Sequence, residues 1–110
     1  VLELMANTYV NAKVDLTTTS ITTLYTCAAS TTGIVKSILV SEDSGNADTI
    51  TLTITSGSDV FSLFKTKAVS ANNTLELLSA PLIVQAEEIL KVTAATANRL
   101  HVVASILEVT

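Results

Sequence analysis

Residues 33–55 read GIVKSILVSEDSGNADTITLTIT, and this stretch decides the fold class. Its first part gathers Ile34, Val35, Ile38, Leu39 and Val40 into a dense apolar run, the mark of a strand buried on one face and partly covered on the other. Ser41 to Asp48 interrupts the run with small, polar and acidic residues, the composition of a turn between strands. From Thr49 the alternation is strict. Ile50, Leu52 and Ile54 point one way and Thr49, Thr51, Thr53 and Thr55 the other, and β-branched residues at period two specify a strand.

The same period extends outward in both directions. Tyr9–Leu16 alternates Val10, Ala12, Val14 and Leu16 against Tyr9, Asn11, Lys13 and Asp15, a first strand. Ile21–Ala28 makes a second, followed by a turn of small residues to Gly33. Beyond the Ser56–Asp59 turn, Val60–Lys65 is a fifth strand holding Phe61 and Phe64, which at a spacing of three are expected on opposite faces, one of them in the core. After a turn at Ala71–Asn73, Thr74–Ser79 is a sixth strand, with Leu75 and Leu77 on one face and Glu76 and Leu78 on the other. Pro81 cannot donate to a ladder and suits a strand start or a sheet edge. Leu82–Gln85, Ile89–Ala94 and Arg99–Val109 complete the series. Helical alternatives compete only at 86–90 and 94–98; both are short, and the second reads as a turn between strands. Eight or nine short strands, with a turn about every ten residues, predict an all-β chain forming a single antiparallel β-sandwich, jelly-roll-like or Ig-like.

A length of 110 residues fits one domain. Met5-Ala6-Asn7 resembles a natural start, so residues 1–6 are read as an N-terminal arm or extension ahead of a domain at 7–110; whether Val1–Leu4 is native is left open. The chain is 48% hydrophobic and 15% charged, a folded composition. No apolar run approaches the roughly 20 residues of a membrane helix, so the hydropathy belongs to core and interface. The net charge is −4, and Lys13, Lys36, Lys65, Lys67, Lys91 and Arg99 are dispersed, which argues against nucleic acid as a partner. With one cysteine, Cys27, no intrachain disulfide exists.

The last strand carries the strongest functional signal. Leu100, Val102, Ala104 and Ile106 suit the core, while the other face passes from Arg99 and His101 to Val103, Ser105, Leu107 and Val109. An apolar outer face marks an interface, and an uncovered edge there would invite pairing with another chain. Val103, Ser105, Leu107 and Val109 are therefore the expected oligomer or partner surface.

Residues with catalytic potential do not assemble into a motif. Cys27 and His101 form the one available Cys/His pair, and a cysteine within a strand is by default a buried, inert thiol. The loop Glu42–Asp48 is the densest carboxylate cluster, with Asp43 and Asp48 as weak metal candidates, but it lacks the EF-hand spacing and its bidentate Glu. An Asp- and Asn-rich hairpin turn explains it as well. Glu87 and Glu88, adjacent in sequence, would face opposite ways in a strand and read as a solvated loop. No catalytic residue and no cofactor is expected. The four aromatics, with no Trp among them, offer no evident sugar platform, and the glycines sit in separate turns rather than in a phosphate loop.

Four segments carry a resemblance: LYTCAASTTGIVKSILV at 24–40, SGNADTITLTI at 44–54, AVSANNTLEL at 68–77 and EILKVTAATANRLHVVASILEV at 88–109. Together they resemble small β-sandwich virion structural proteins of tailed bacteriophages, over most of the chain from about Asn7. The match rests on strand and turn residues rather than on a catalytic signature. It departs at Cys27-Ala28-Ala29, where Val-Pro-Ala/Gly is usual, and at Glu87-Glu88, where Gly-Asp is usual. The resemblance implies a non-enzymatic part of a phage particle, assembled in the host cytoplasm. Its partners would be copies of itself, as a trimer or ring, and major capsid or tail proteins, with no nucleic acid and no membrane. Capsid decoration is slightly favoured over neck or tail, and a receptor- or carbohydrate-binding module of a tail fibre is the alternative.

Overall fold

A computed structural model describes residues 6–110, and the reading of Val1–Leu4 falls outside them. Within this range are nine strands: β1 (Asn7–Asp15), β2 (Thr22–Thr26), β3 (Thr32–Glu42), β4 (Asp48–Ser56), β5 (Asp59–Val69), β6 (Thr74–Glu76), β7 (Leu82–Val84), β8 (Ile89–Ala94) and β9 (Leu100–Val109). They form two antiparallel sheets packed as a sandwich, as the period-two reading predicts. One sheet runs β1-β9-β3-β6, with β7 also on β3; the other runs β2-β8-β4-β5. The chain therefore alternates between the sheets except at β4–β5 and β6–β7, which are successive strands of one sheet, and the core lies between the two sheets.

Each sheet contributes its inward residues to one hydrophobic cluster. Val35, Ile38, Val40, Leu100, Val102, Ala104 and Ile106 come from the first sheet and Ile50, Leu52, Leu90, Val92 and Ala94 from the second, all at or below 1% exposure. The inward faces of β4 and β9 are the ones read from sequence. In β3, Val35 and Ile38 are three apart yet both buried, because the register against β9 shifts between Val35 and Ser37 and Lys36 is the extra residue.

Several sequence expectations need correction. The last strand is no edge: β9 lies between β1 and β3 and is hydrogen-bonded to both. The fifth strand extends to Val69 and carries two irregularities against β4. Leu52 pairs with Phe64 and Ile54 with Phe61, leaving Leu63 as an extra residue, so the two phenylalanines share a face rather than opposing one another. Phe64 packs against the core, while Phe61 remains 55% exposed. The sixth strand stops at Glu76, although Leu77 is buried and Leu78 also packs on the core.

Candidate functional site

The outer face of the β1-β9-β3 sheet brings the expected surface residues together. Tyr9 of β1 stands opposite Leu107 of β9, Leu107 opposite Ile34 of β3, and Ile34 opposite Ile83 of β7. Directly opposed residues share a face, so these four form a continuous apolar row across four strands. Tyr9 is 77% and Ile83 49% exposed; Leu107 and Ile34, flanked on both sides, are half-buried. A second row runs Lys13–Val103–Leu39–Glu76, with Val103 and Leu39 exposed. Ser105 sits between the rows, opposite Asn11 and Ser37, and Val109 lies at the end beside Asn7 and Thr32. Sequence reasoning found the β9 members of this face; Tyr9, Ile34, Leu39 and Ile83 were missed because strand neighbours cannot be read from periodicity.

Two open depressions lie along the β1–β9 boundary. One of about 270 Å³ includes Tyr9, Asn11, Lys36 and Ser105, and one of about 220 Å³ includes Lys13, Asp15, His101 and Val103. At the second, His101 Nε2 is 3.2 Å from Asp15 Oδ1 and its Nδ1 3.6 Å from Asp43 Oδ2, a solvent-facing bridge between strand and loop. Cys27 is buried elsewhere and donates its thiol to the Thr31 carbonyl at 3.3 Å. The two residues therefore form no dyad.

The acidic loop is organised by Glu42, the last inward-facing residue of β3. Its carboxylate accepts hydrogen bonds from the backbone amides of Ser44 (2.8 Å), Gly45 (3.0 Å) and Asn72 (3.1 Å), and from the Ser44 hydroxyl. Burial pushes its pKa up, but the Ser44 hydroxyl and the amides of Asn72, Ser44 and Gly45 outweigh that and hold it down at about 2. Asp48 is also buried, accepting from Thr49 N at 2.8 Å and Thr96 N at 3.1 Å. Asp43 instead points to solvent beside His101. The two metal candidates thus serve different partners, and among the described residues no three His, Cys, Asp or Glu side chains gather to hold a metal ion. Glu87 and Glu88 lie in the turn between β7 and β8, where Glu88 accepts from Gln85 N at 2.7 Å.

At the opposite end of the sandwich, Tyr25 of β2 donates its hydroxyl to Glu108 of β9 at 2.5 Å, joining the two sheets. Burial, reinforced by that bond, raises the phenol well above its ordinary range, so it stays a donor. A β-carbon on Gly33 would lie 3.0 Å from the Tyr25 hydroxyl oxygen, which explains the glycine in this strand.

No family model matches the chain, and no curated protein matches it. Solved structures do. One is a pentameric capsid protein isolated from metagenomic phage sequences, 20% identical over 90% of this chain and 59% of that one, with a TM-score of 0.46. A second structure of a protein so described, solved by iodide phasing, is 21% identical over 90% of this chain and 60% of that one, with a TM-score of 0.45. The chain thus spans about three-fifths of the length of the solved chains it matches.

Proposed function

We propose that this protein is a non-enzymatic structural component of a tailed-phage particle, acting through self-association and docking on the capsid or tail, with shell decoration slightly favoured over a neck or tail position. The observation that carries the reading is the apolar row Tyr9–Leu107–Ile34–Ile83 on the outer sheet face, with Val103 and Leu39 beside it. Exposed apolar residues that continue from strand to strand mark a protein contact. The sequence resemblance to small virion proteins supports the same reading. So does the strand order, with β6 and β7 sharing one position, which we read as a jelly roll, an architecture used in viral capsid and lectin domains.

The fibre receptor- or carbohydrate-binding alternative draws on that architecture too. Its aromatic platform has less support, because the exposed aromatics Tyr9 and Phe61 lie on different sheets. The test is Leu107→Lys, read by light scattering and by co-sedimentation with phage particles. The expected result is a folded chain that has lost its assembly or its particle binding. Unchanged assembly and unchanged binding would remove this face from the mechanism.

A further inference from the structure

The two sheets have four edges among the described residues, and three are blunted. β5 carries two irregularities, Lys65, Lys67 and a left-handed Thr66 at φ 49. β2 has five residues and a register shift at Leu24. β6 and β7 have three residues each, and Pro81 precedes β7. Such devices prevent strand-to-strand association. β1 is different, with nine residues paired to β9 in unbroken register and no bulge or proline.

The hydrogen-bonding groups on the free side of β1 can be assigned. Leu16 N donates to Leu100 O, and Thr110 N donates to Ala6 O, both at 3.0 Å. The even-numbered residues therefore bond to β9, and the ladder alternates. Asn7, Tyr9, Asn11 and Lys13 turn their N–H and C=O groups to the open edge, as does Asp15, whose carbonyl also accepts from Thr17 N at 2.9 Å. Their side chains face outward, while Val10, Ala12 and Val14 pack only partly buried against the core from beneath this edge.

We infer that β1 pairs antiparallel with β1 of a second copy of this chain, across a two-fold axis at Asn11. This rests on the self-association proposed above and names the strand that provides it. The register aligns the whole strand and opposes odd residues to odd residues, as the free groups require. Tyr9 meets the partner's Lys13, a cation over an aromatic face, and Asn7 meets the partner's Asp15. Asn11 meets the partner's Asn11, and the only two charges on the strand, Lys13 and Asp15, are never opposite a like charge. On the inner side Val10 meets the partner's Ala12, so the second strand covers the half-buried residues below the edge. The apolar rows of the two copies then share one continuous outer sheet face.

The test exploits the axis. Residues opposed in a hydrogen-bonded antiparallel pair have Cα atoms about 5.5 Å apart, within disulfide range. Asn11→Cys should cross-link into a dimer under mild oxidation, reversibly with reductant; Asn7→Cys, whose two copies would lie far from one another, should not. The native Cys27 is buried and does not compete. Asn11→Lys places like charges on the axis and should halve the mass measured by light scattering, with circular dichroism unchanged. Cross-linking of Asn11→Cys no faster than Asn7→Cys, or an unchanged mass for Asn11→Lys, would overturn the pairing. An oligomer that survives Asn11→Lys but dissociates with Leu107→Lys would overturn it while leaving self-association through the outer face intact. A wild-type chain that stays monomeric would overturn both, with particle docking read separately by co-sedimentation.

Discussion

Glu42 and Glu87 show how far the role of one residue type depends on its place. Glu42 ends an inward-facing series, where an apolar residue would be expected, and its carboxylate fastens residues 44, 45 and 72 into one junction. Its pKa is about 2 in the fold against 4.5 for the free group, so its contribution to stability is complete above 4.5 and is lost as pH falls through about 2. Urea midpoints measured from pH 6 to pH 2 should show wild type losing its advantage over Glu42→Gln across that window. Glu87 is exposed with φ at 70°, a conformation that favours glycine. Its amide donates to Cys27 O at 2.8 Å, a bond that glycine would keep. Relief of a left-handed backbone offset by glycine's greater chain entropy should make Glu87→Gly more stable by about 0.5–1 kcal/mol in urea denaturation. Neither role was legible beforehand. In sequence Glu42 reads as part of the turn at Ser41–Asp48, and a positive φ leaves no trace in a Glu-Glu pair.

At the scale of elements, β3 is the spine of its sheet. β9 pairs with it along nearly its full length, but on the other side β6 covers only Leu39–Ser41 and β7 only Gly33–Val35. The Glu76 side chain serves the gap, accepting from Ile38 N at 2.8 Å, from Leu78 N at 3.2 Å and from the Ser37 hydroxyl. Burial opposes ionisation of Glu76, but these bonds prevail and its pKa is lowered. Glu76→Ala should therefore speed amide exchange at Ile38 and Leu78 roughly tenfold, about 1.4 kcal/mol for a charge-assisted bond discounted for partial solvent screening. Equal exchange in both proteins would mean that water satisfies those amides as well. Periodicity identified β4 and the inward face of β9 because both alternate without interruption. It misplaced Phe61 against Phe64 because a bulge shifts the period by one residue without any change in composition.

Across the whole molecule, one core joins both sheets while a second set of apolar residues stays outside it. Leu107 belongs to the outer set, whereas Ile106 is buried at 1% exposure. Leu107→Lys should consequently change folding stability by no more than about 0.5 kcal/mol, as for surface substitutions, while affecting association. A large loss of stability would mean that the row is needed for the isolated fold. Tyr25 and Glu108 illustrate the same division between layers. Glu108 continues the inward series of β9 after Ile106, and its charge is accommodated because a tyrosine from the other sheet reaches it.

The sequence alone determined that the chain is all-β, where its turns fall, and which residues of β4 and β9 enter the core. Those properties follow from the local geometry of an extended backbone, which sends alternate side chains to opposite faces. Only the tertiary structure decided which strands are neighbours. It paired Asn7 with Val109 across almost the whole chain, made the last strand central, left β1 at an open edge, and aligned Tyr9, Leu107, Ile34 and Ile83 in one row. Strand pairing depends on cross-strand hydrogen bonds and the filling of a shared core, interactions between residues far apart in sequence, so the period of any single strand carries no record of it.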